Sequence, residues 1–169
     1  MGNAEMDLPR VLGCEFSWLF GVFSVYYSKG IIMGIVHTEI TLKNAIDMGN
    51  ARRGMIKDSE IRQTTVTAVV DTGAITLVIN EAIRQKLGLK IKGHRRATLA
   101  DGTAHDCEVT EPVSVHWKNR DSPCKAYVLP NSNKVLLGAI PMEDMDLMVN
   151  PVKQELVGVH GDEIVTYLY

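Results

Sequence analysis

Thr64-Thr65-Val66-Thr67-Ala68-Val69-Val70, Asp71-Thr72-Gly73-Ala74 and Ile75-Thr76-Leu77-Val78-Ile79 follow one another without a break, and this stretch decides how the chain is read. Val, Ile and Thr favour pleated, half-buried segments, so two strands flank a short turn, and the turn presents a carboxylate. Gly73 supplies backbone freedom at the turn, which leaves Asp71 fixed at a strand end. An Asp before a glycine turn also forms ordinary Asx-turns, so the tripeptide alone does not separate a chemical role from a structural one.

A second motif lies downstream, Val135-Leu136-Leu137-Gly138-Ala139-Ile140-Pro141, an apolar strand closed by a glycine and followed by a candidate helical turn at Met142 to Met145. Together the two motifs resemble the retroviral-type aspartic proteases, the retropepsins and their bacterial and eukaryotic relatives of clan AA. In that family a D-T/S-G-A loop precedes a flap and then an apolar-apolar-Gly strand beside the active site. Asp71 and Gly138 are 67 positions apart (138 minus 71), which leaves room for such a flap. The resemblance runs from about Ile35 to Gly158. It implies a mostly β, retropepsin-like acid-protease barrel with one short helix after the catalytic strand, closed by homodimerisation, in a single-domain member of bacterial type.

Composition fits one domain: 169 residues at 46% hydrophobic content close a single core but would make two domains unusually small. With 18 basic and 20 acidic residues the net charge is -2, so nucleic acid is not an expected partner. The one basic cluster, Lys90-Ile91-Lys92-Gly93-His94-Arg95-Arg96, reads as a solvated loop. Cys14, Cys107 and Cys124 are widely spaced and odd in number, suggesting neither a disulfide framework nor a metal site. No pair among the five histidines has the spacing of zinc ligands on one helical face. No metal and no cofactor are expected, and a reducing, cytoplasmic setting is the simpler inference.

Residues 1–32 differ in character, carrying an uncharged aromatic-rich run from Phe16 to Ser28. Thirteen residues are too few to span a bilayer comfortably as a helix. Three readings stand: a membrane-surface anchor through residues 16–28, a segment packed on the body, or an over-long start with initiation at Met33. The last is favoured because strand alternation begins immediately afterwards, which makes residues 33–169 the folded domain and leaves membrane association as the alternative.

From Ile35, the residues Val36, Thr38, Ile40 and Leu42 share one face of a first strand, with His37, Glu39 and Thr41 on the other. Asn44 to Lys57, with Gly49 and Gly54 and no steady period, reads as a loop. After Ile79, Asn80 is an N-cap candidate, Ala82, Ile83 and Leu87 share a helical face, and Gly88 suits a left-handed C-terminal position. Ala97 to Thr103 joins two β-compatible runs through Asp101-Gly102. Ala100, Asp101, Gly102 and Thr103 are the candidate flap tip, although an ordinary surface hairpin has the same signature. Val113, Val115 and Trp117 alternate, Ala126 to Leu129 supplies another strand, Leu147 to Val149 with Glu155 to Val159 makes a closing hairpin, and Ile164 to Tyr169 is a terminal strand that serves either a dimer or its own body.

The implied activity is that of an aspartic endopeptidase on peptide or protein substrates. That chemistry uses two facing carboxylates and the chain holds one D-T/S-G turn, so the resemblance implies a homodimer with one Asp71 from each subunit. It assigns orienting roles to Thr72, Gly73 and Ala74, and packing beside the site to Leu136, Leu137 and Gly138. Ala139 departs from the charged residue that many relatives carry after the glycine. The rival reading is a peptide-binding or protein-interaction module on the same fold without turnover.

Overall fold

The computed structural model describes residues 16–17, 24–25, 35–98, 102, 104–129 and 132–165. Most of the N-terminal extension and the final four residues of the expected terminal strand lie outside these. Within the extension, β1 (Phe16–Ser17) pairs antiparallel with β2 (Ser24–Val25). No helix among the described residues is long and apolar enough to cross a membrane.

The body is mostly β. Its first strand, β3 (His37–Asn44), buries Ile40, Leu42 and Asn44 on one face, following the alternation of its side chains. Helix α1 (Ala45–Arg52) occupies part of the segment expected to be a loop. Its N-cap is the buried Asn44, whose Oδ1 accepts from the Ile46 and Asp47 amides at 2.9 and 3.1 Å while its Nδ2 donates to Leu87 O at 3.0 Å. The Asp47 carboxylate then accepts from Arg62 three times, from Nε and Nη2 at 2.7 Å each and from the backbone amide at 3.1 Å, tying the helix to the start of β4 (Gln63–Val70). These tertiary contacts outweigh the helix-weakening glycine in its middle.

After β5 (Leu77–Ile79) comes the expected short helix, α2 (Glu81–Lys86), with Asn80 Oδ1 accepting from Ile83 N at 2.9 Å and Gly88 at φ +60°. The basic run assigned to a loop is instead β6 (Ile91–Thr98). It pairs antiparallel with β7 (Ala104–Trp117), which sets His94 against Glu108 and Arg96 against Asp106. Cross-strand charge pairing lets so basic a segment extend. A two-residue turn with Lys118 at φ 50° leads to β8 (Arg120–Val128). Then follow β9 (Leu136–Leu137), α3 (Ala139–Asp144), and a separate hairpin of β10 (Leu147–Asn150) and β11 (Glu155–Gly158). Ile164 and Val165 carry no strand pairing.

The strand order is β3-β4-β9-β5-β8-β7-β6, and β3 also pairs with β7, matching Thr41 to His116 and Asn44 to Val113. The first six strands of that order therefore close into a barrel, and the β6–β7 hairpin runs on from it. Leu42, Leu77, Ile79, Leu87, Val113, Val115, Ala126 and Leu137 fill the interior at zero exposure, which identifies it as a packed core.

One buried cation sits beneath the C-terminal hairpin. Arg120, 2% exposed, donates to Met145 O, Asp146 O, Gly161 O and Glu163 O at 2.6 to 3.1 Å and meets Asp146 Oδ2 at 3.4 Å. His160 Nδ1 lies 2.9 Å from the same carboxylate oxygen. Hydrogen bonding to His160, then to the Val165 amide and to Arg120, holds the Asp146 carboxyl below its ordinary range against the opposing effect of burial. Burial also pushes the Cys124 thiol up to about 11, so this sulfur is protonated at neutral pH.

Candidate active site

Asp71 begins where β4 ends, and its backbone is held from the side. Val69 N donates to Val135 O at 2.8 Å and Asp71 N to Leu137 O at 3.0 Å, so β9 runs parallel to the end of β4, pairing Val69 with Leu136 and Val70 with Leu137. The other edge of β9 meets β5 through Val78 and Leu136. The two strands flanking Asp71 consequently do not pair with each other, and β9 lies between them. The expected turn at Asp71 to Ala74 is present, but the 71–76 segment also has to span a strand's width, which the sequence did not show.

The far side of that segment is clamped as well. Ala139 N donates to Ala74 O at 2.8 Å and Ile140 N to Ile75 O at 2.9 Å, just as the chain leaves β9 and enters α3. Close passage is permitted by Gly138, because a Cβ there would collide with Thr76 O and would lie 2.6 Å from Ala74 O and 2.7 Å from Thr76 N. All three are backbone atoms and cannot rotate away. Leu136, Leu137 and Gly138 thus sit directly beside the Asp71 loop, and Leu137 is fully buried.

Asp71 itself is half-buried, and its Oδ1 accepts from Gly73 N at 2.9 Å, the Asx-turn geometry. Ala74 N closes the turn on Asp71 O at 3.1 Å. No ion pair engages the carboxylate among the described residues, and Oδ2 takes no hydrogen bond from any of them. The φ of Gly73 is not positive, in contrast to Gly54, Gly88, Gly102 and Gly161, so left-handed backbone is not what this position requires. Thr72 and Gly73 face solvent. Beside them Ile75 and Ile140, 71% and 50% exposed, form an apolar shoulder. This pair has no signal in the sequence beyond Ile75 directly after the Asp71 motif and Ile140 within the second one.

The remaining expected site residues divide. Ala100, Asp101 and Thr103 lie outside the described residues, while Gly102 has φ +80° and Thr98 pairs with Ala104. Among the described residues no three metal-ligating side chains cluster.

Residues 58–144, just over half of the chain, match the model of the family described as gag-polyprotein putative aspartyl protease. That span includes the Asp71 loop, β9 and α3. No curated protein sequence matches the chain. Among solved structures, the EIAV protease complexed with the inhibitor HBY-793 is similar at 18% identity, covering 68% of this chain and 88% of that one with a TM-score of 0.41.

Proposed function

Since this chain belongs to the gag-polyprotein aspartyl protease family, we propose that it is an endopeptidase whose centre forms when two copies bring their Asp71 loops together. The observation that carries this reading is the threading of β9 between β4 and β5, which holds a carboxylate at the protein surface by bonds on both sides of its loop. One chain provides one such carboxylate, and hydrolysis by this route uses two.

In the pair, two adjacent carboxylates share one proton because like charges at short range cannot both ionise cheaply; aspartic proteases are the standard instance of this effect. The proton belongs to the pair and not to either residue. The ionised member takes a proton from a bound water, which attacks the scissile carbonyl, and the protonated member donates to the carbonyl oxygen. Breakdown of the tetrahedral intermediate returns a proton to the leaving amine, with no acyl-enzyme formed. In this reading Thr72, which is exposed, bonds across the two-fold axis, and the flap candidates Ala100 to Thr103 cover the substrate.

The test is cleavage of a quenched-fluorescent peptide pool from acid to neutral pH by residues 33–169 and by the Asp71→Asn variant, with mass measured by sedimentation. The expected result is a dimer, a bell-shaped rate profile, and loss of at least a hundredfold in the variant, about the span of general acid–base catalysis. Equal activity in both proteins rejects Asp71 as the catalyst. A folded chain that binds peptides without cleaving them supports the interaction-module reading.

A further inference from the structure

We propose that the barrel carries a second binding site, a cationic cleft for an acidic peptide segment, at the end of β4 remote from Asp71. The cleft encloses about 630 Å³ and is lined by Lys43, Lys86 and Lys118 together with Thr41, Thr65 and His116 and neighbouring polar groups, with no carboxylate among its lining residues. Register explains the assembly. Thr65, Thr41 and His116 form one cross-strand row over β4, β3 and β7, Lys43 projects from the same face two residues on, Lys118 is in the β7–β8 turn, and Lys86 ends α2.

None of the three lysines is in an ion pair among the described residues. Lys118 is held instead with its ammonium 4.2 Å from the centre of the Trp117 ring. Three lysines line one concavity with no carboxylate among its lining residues, and a ligand bringing carboxylates supplies the missing opposite charge. The field is felt locally: burial first, and then Lys43, depress the pKa of His116 against the opposing pull of Asp121. Asp121 is opposite His116 on β8 and does not line the cleft. His116 Nε2 lies 3.0 Å from Ser114 Oγ, which orients the ring.

Spacing selects the ligand. The charges come from three separate elements and are lysine point charges, not guanidinium forks, which suits several spaced carboxylates better than one compact bidentate anion. Nucleic acid fits less well, because the net charge of the chain is -2. From Thr65 to Asp71 is six strand residues, about 20 Å. A segment bound here would leave the Asp71 loop free, so the cleft is a docking site separate from the proposed chemistry and does not depend on it.

The experiment is fluorescence anisotropy with a labelled Glu-rich peptide, an equal-length Gln-rich peptide, a single-stranded RNA oligonucleotide, and inorganic phosphate as competitor. Proteins are the wild type, the Lys43→Gln/Lys86→Gln/Lys118→Gln variant, and Lys86→Gln alone, whose exposed side chain can change without unfolding the domain. The Glu-rich peptide should bind best, weaken with salt, lose about tenfold in the triple variant and about twofold in the single one, in line with partly exposed ion pairs. Phosphate should compete only weakly. The proposal is overturned if the Glu-rich peptide fails to bind, if the Gln-rich peptide or RNA binds as tightly, if phosphate alone displaces the peptide at low concentration, or if Lys86→Gln and the triple variant both bind it like the wild type.

Discussion

Replacing Gly138 with alanine puts one carbon where three backbone atoms already stand, with Ala74 O and Thr76 N at 2.6 and 2.7 Å and Thr76 O nearer still. Comfortable carbon contacts begin near roughly 3.5 Å, so β9 and the 74–76 segment must part by about 1 Å. That separation stretches the bonds from Ala139 N to Ala74 O and from Ile140 N to Ile75 O, now 2.8 and 2.9 Å. Overpacking costs about 1–3 kcal/mol and each lost hydrogen bond about 1 kcal/mol, giving a destabilisation of about 4 kcal/mol. In a domain of this size that lowers Tm by roughly 12 °C. Urea titration and thermal melting followed by circular dichroism measure it, with Gly49→Ala as the matched control. Gly49 lies within α1, nothing is within 4 Å of a Cβ there, and the same substitution should stabilise by up to about 1 kcal/mol. If Gly138→Ala melts within 2–3 °C of the wild type, about the scatter of one small contact, the close passage is not what holds the Asp71 loop.

Two further outcomes follow from buried and paired charge. Arg120→Met should cost about 3–5 kcal/mol, because it strips the donors from four carbonyl oxygens and leaves Asp146 without its cation; a loss under about 1 kcal/mol in urea titration would show those carbonyls to be otherwise satisfied. Hydrogen bonding to Arg62 holds Asp47 below its ordinary range, Asp146 is lowered chiefly by His160, and Arg84 brings Glu81 to about 2. Each folded pKa lies below its unfolded value, so the unfolded chain binds more protons in acid and stability rises with pH. The contribution is complete above about pH 4, the unfolded carboxyl range, and is lost as pH falls through the folded values. Urea midpoints should therefore drop between about pH 4 and pH 2, less so in Asp47→Asn, and equal midpoints across that window would contradict the pairing.

Local signals in the sequence proved legible wherever one short segment contains both the cause and the effect. Asn80 caps α2, Gly88 takes the left-handed backbone after it, and Gly102 has a positive φ between β6 and β7, each from chemistry visible within a few residues. The alternation of Ile40 and Leu42 on β3 held for the same reason. What escaped depends on distant partners. Helix α1 has a poor internal pattern and stands on Asn44 reaching Leu87 and Asp47 reaching Arg62. The basic run of β6 becomes a plausible strand only once Glu108 and Asp106 are set opposite it. Around the candidate site, the Asp71 loop and the Gly138 strand were both identifiable, but the insertion of β9 between β4 and β5 involves pairings nearly 70 positions apart, for which no local pattern exists. Nothing in the sequence sets Arg120 apart from a surface arginine, and the lysine cleft gathers side chains from three remote elements.

The interleaving of β9 also bears on when the molecule can become competent during synthesis. Long-range parallel pairing is entropically costly and forms late. A nascent chain that has emerged only as far as residue 130 holds the acidic loop but lacks the strand that spaces its two arms and the amides of Ala139 and Ile140 that pin it. Ribosome-bound intermediates and fragments truncated before β9 should therefore lack the held Asp71 loop on which the proposed centre depends.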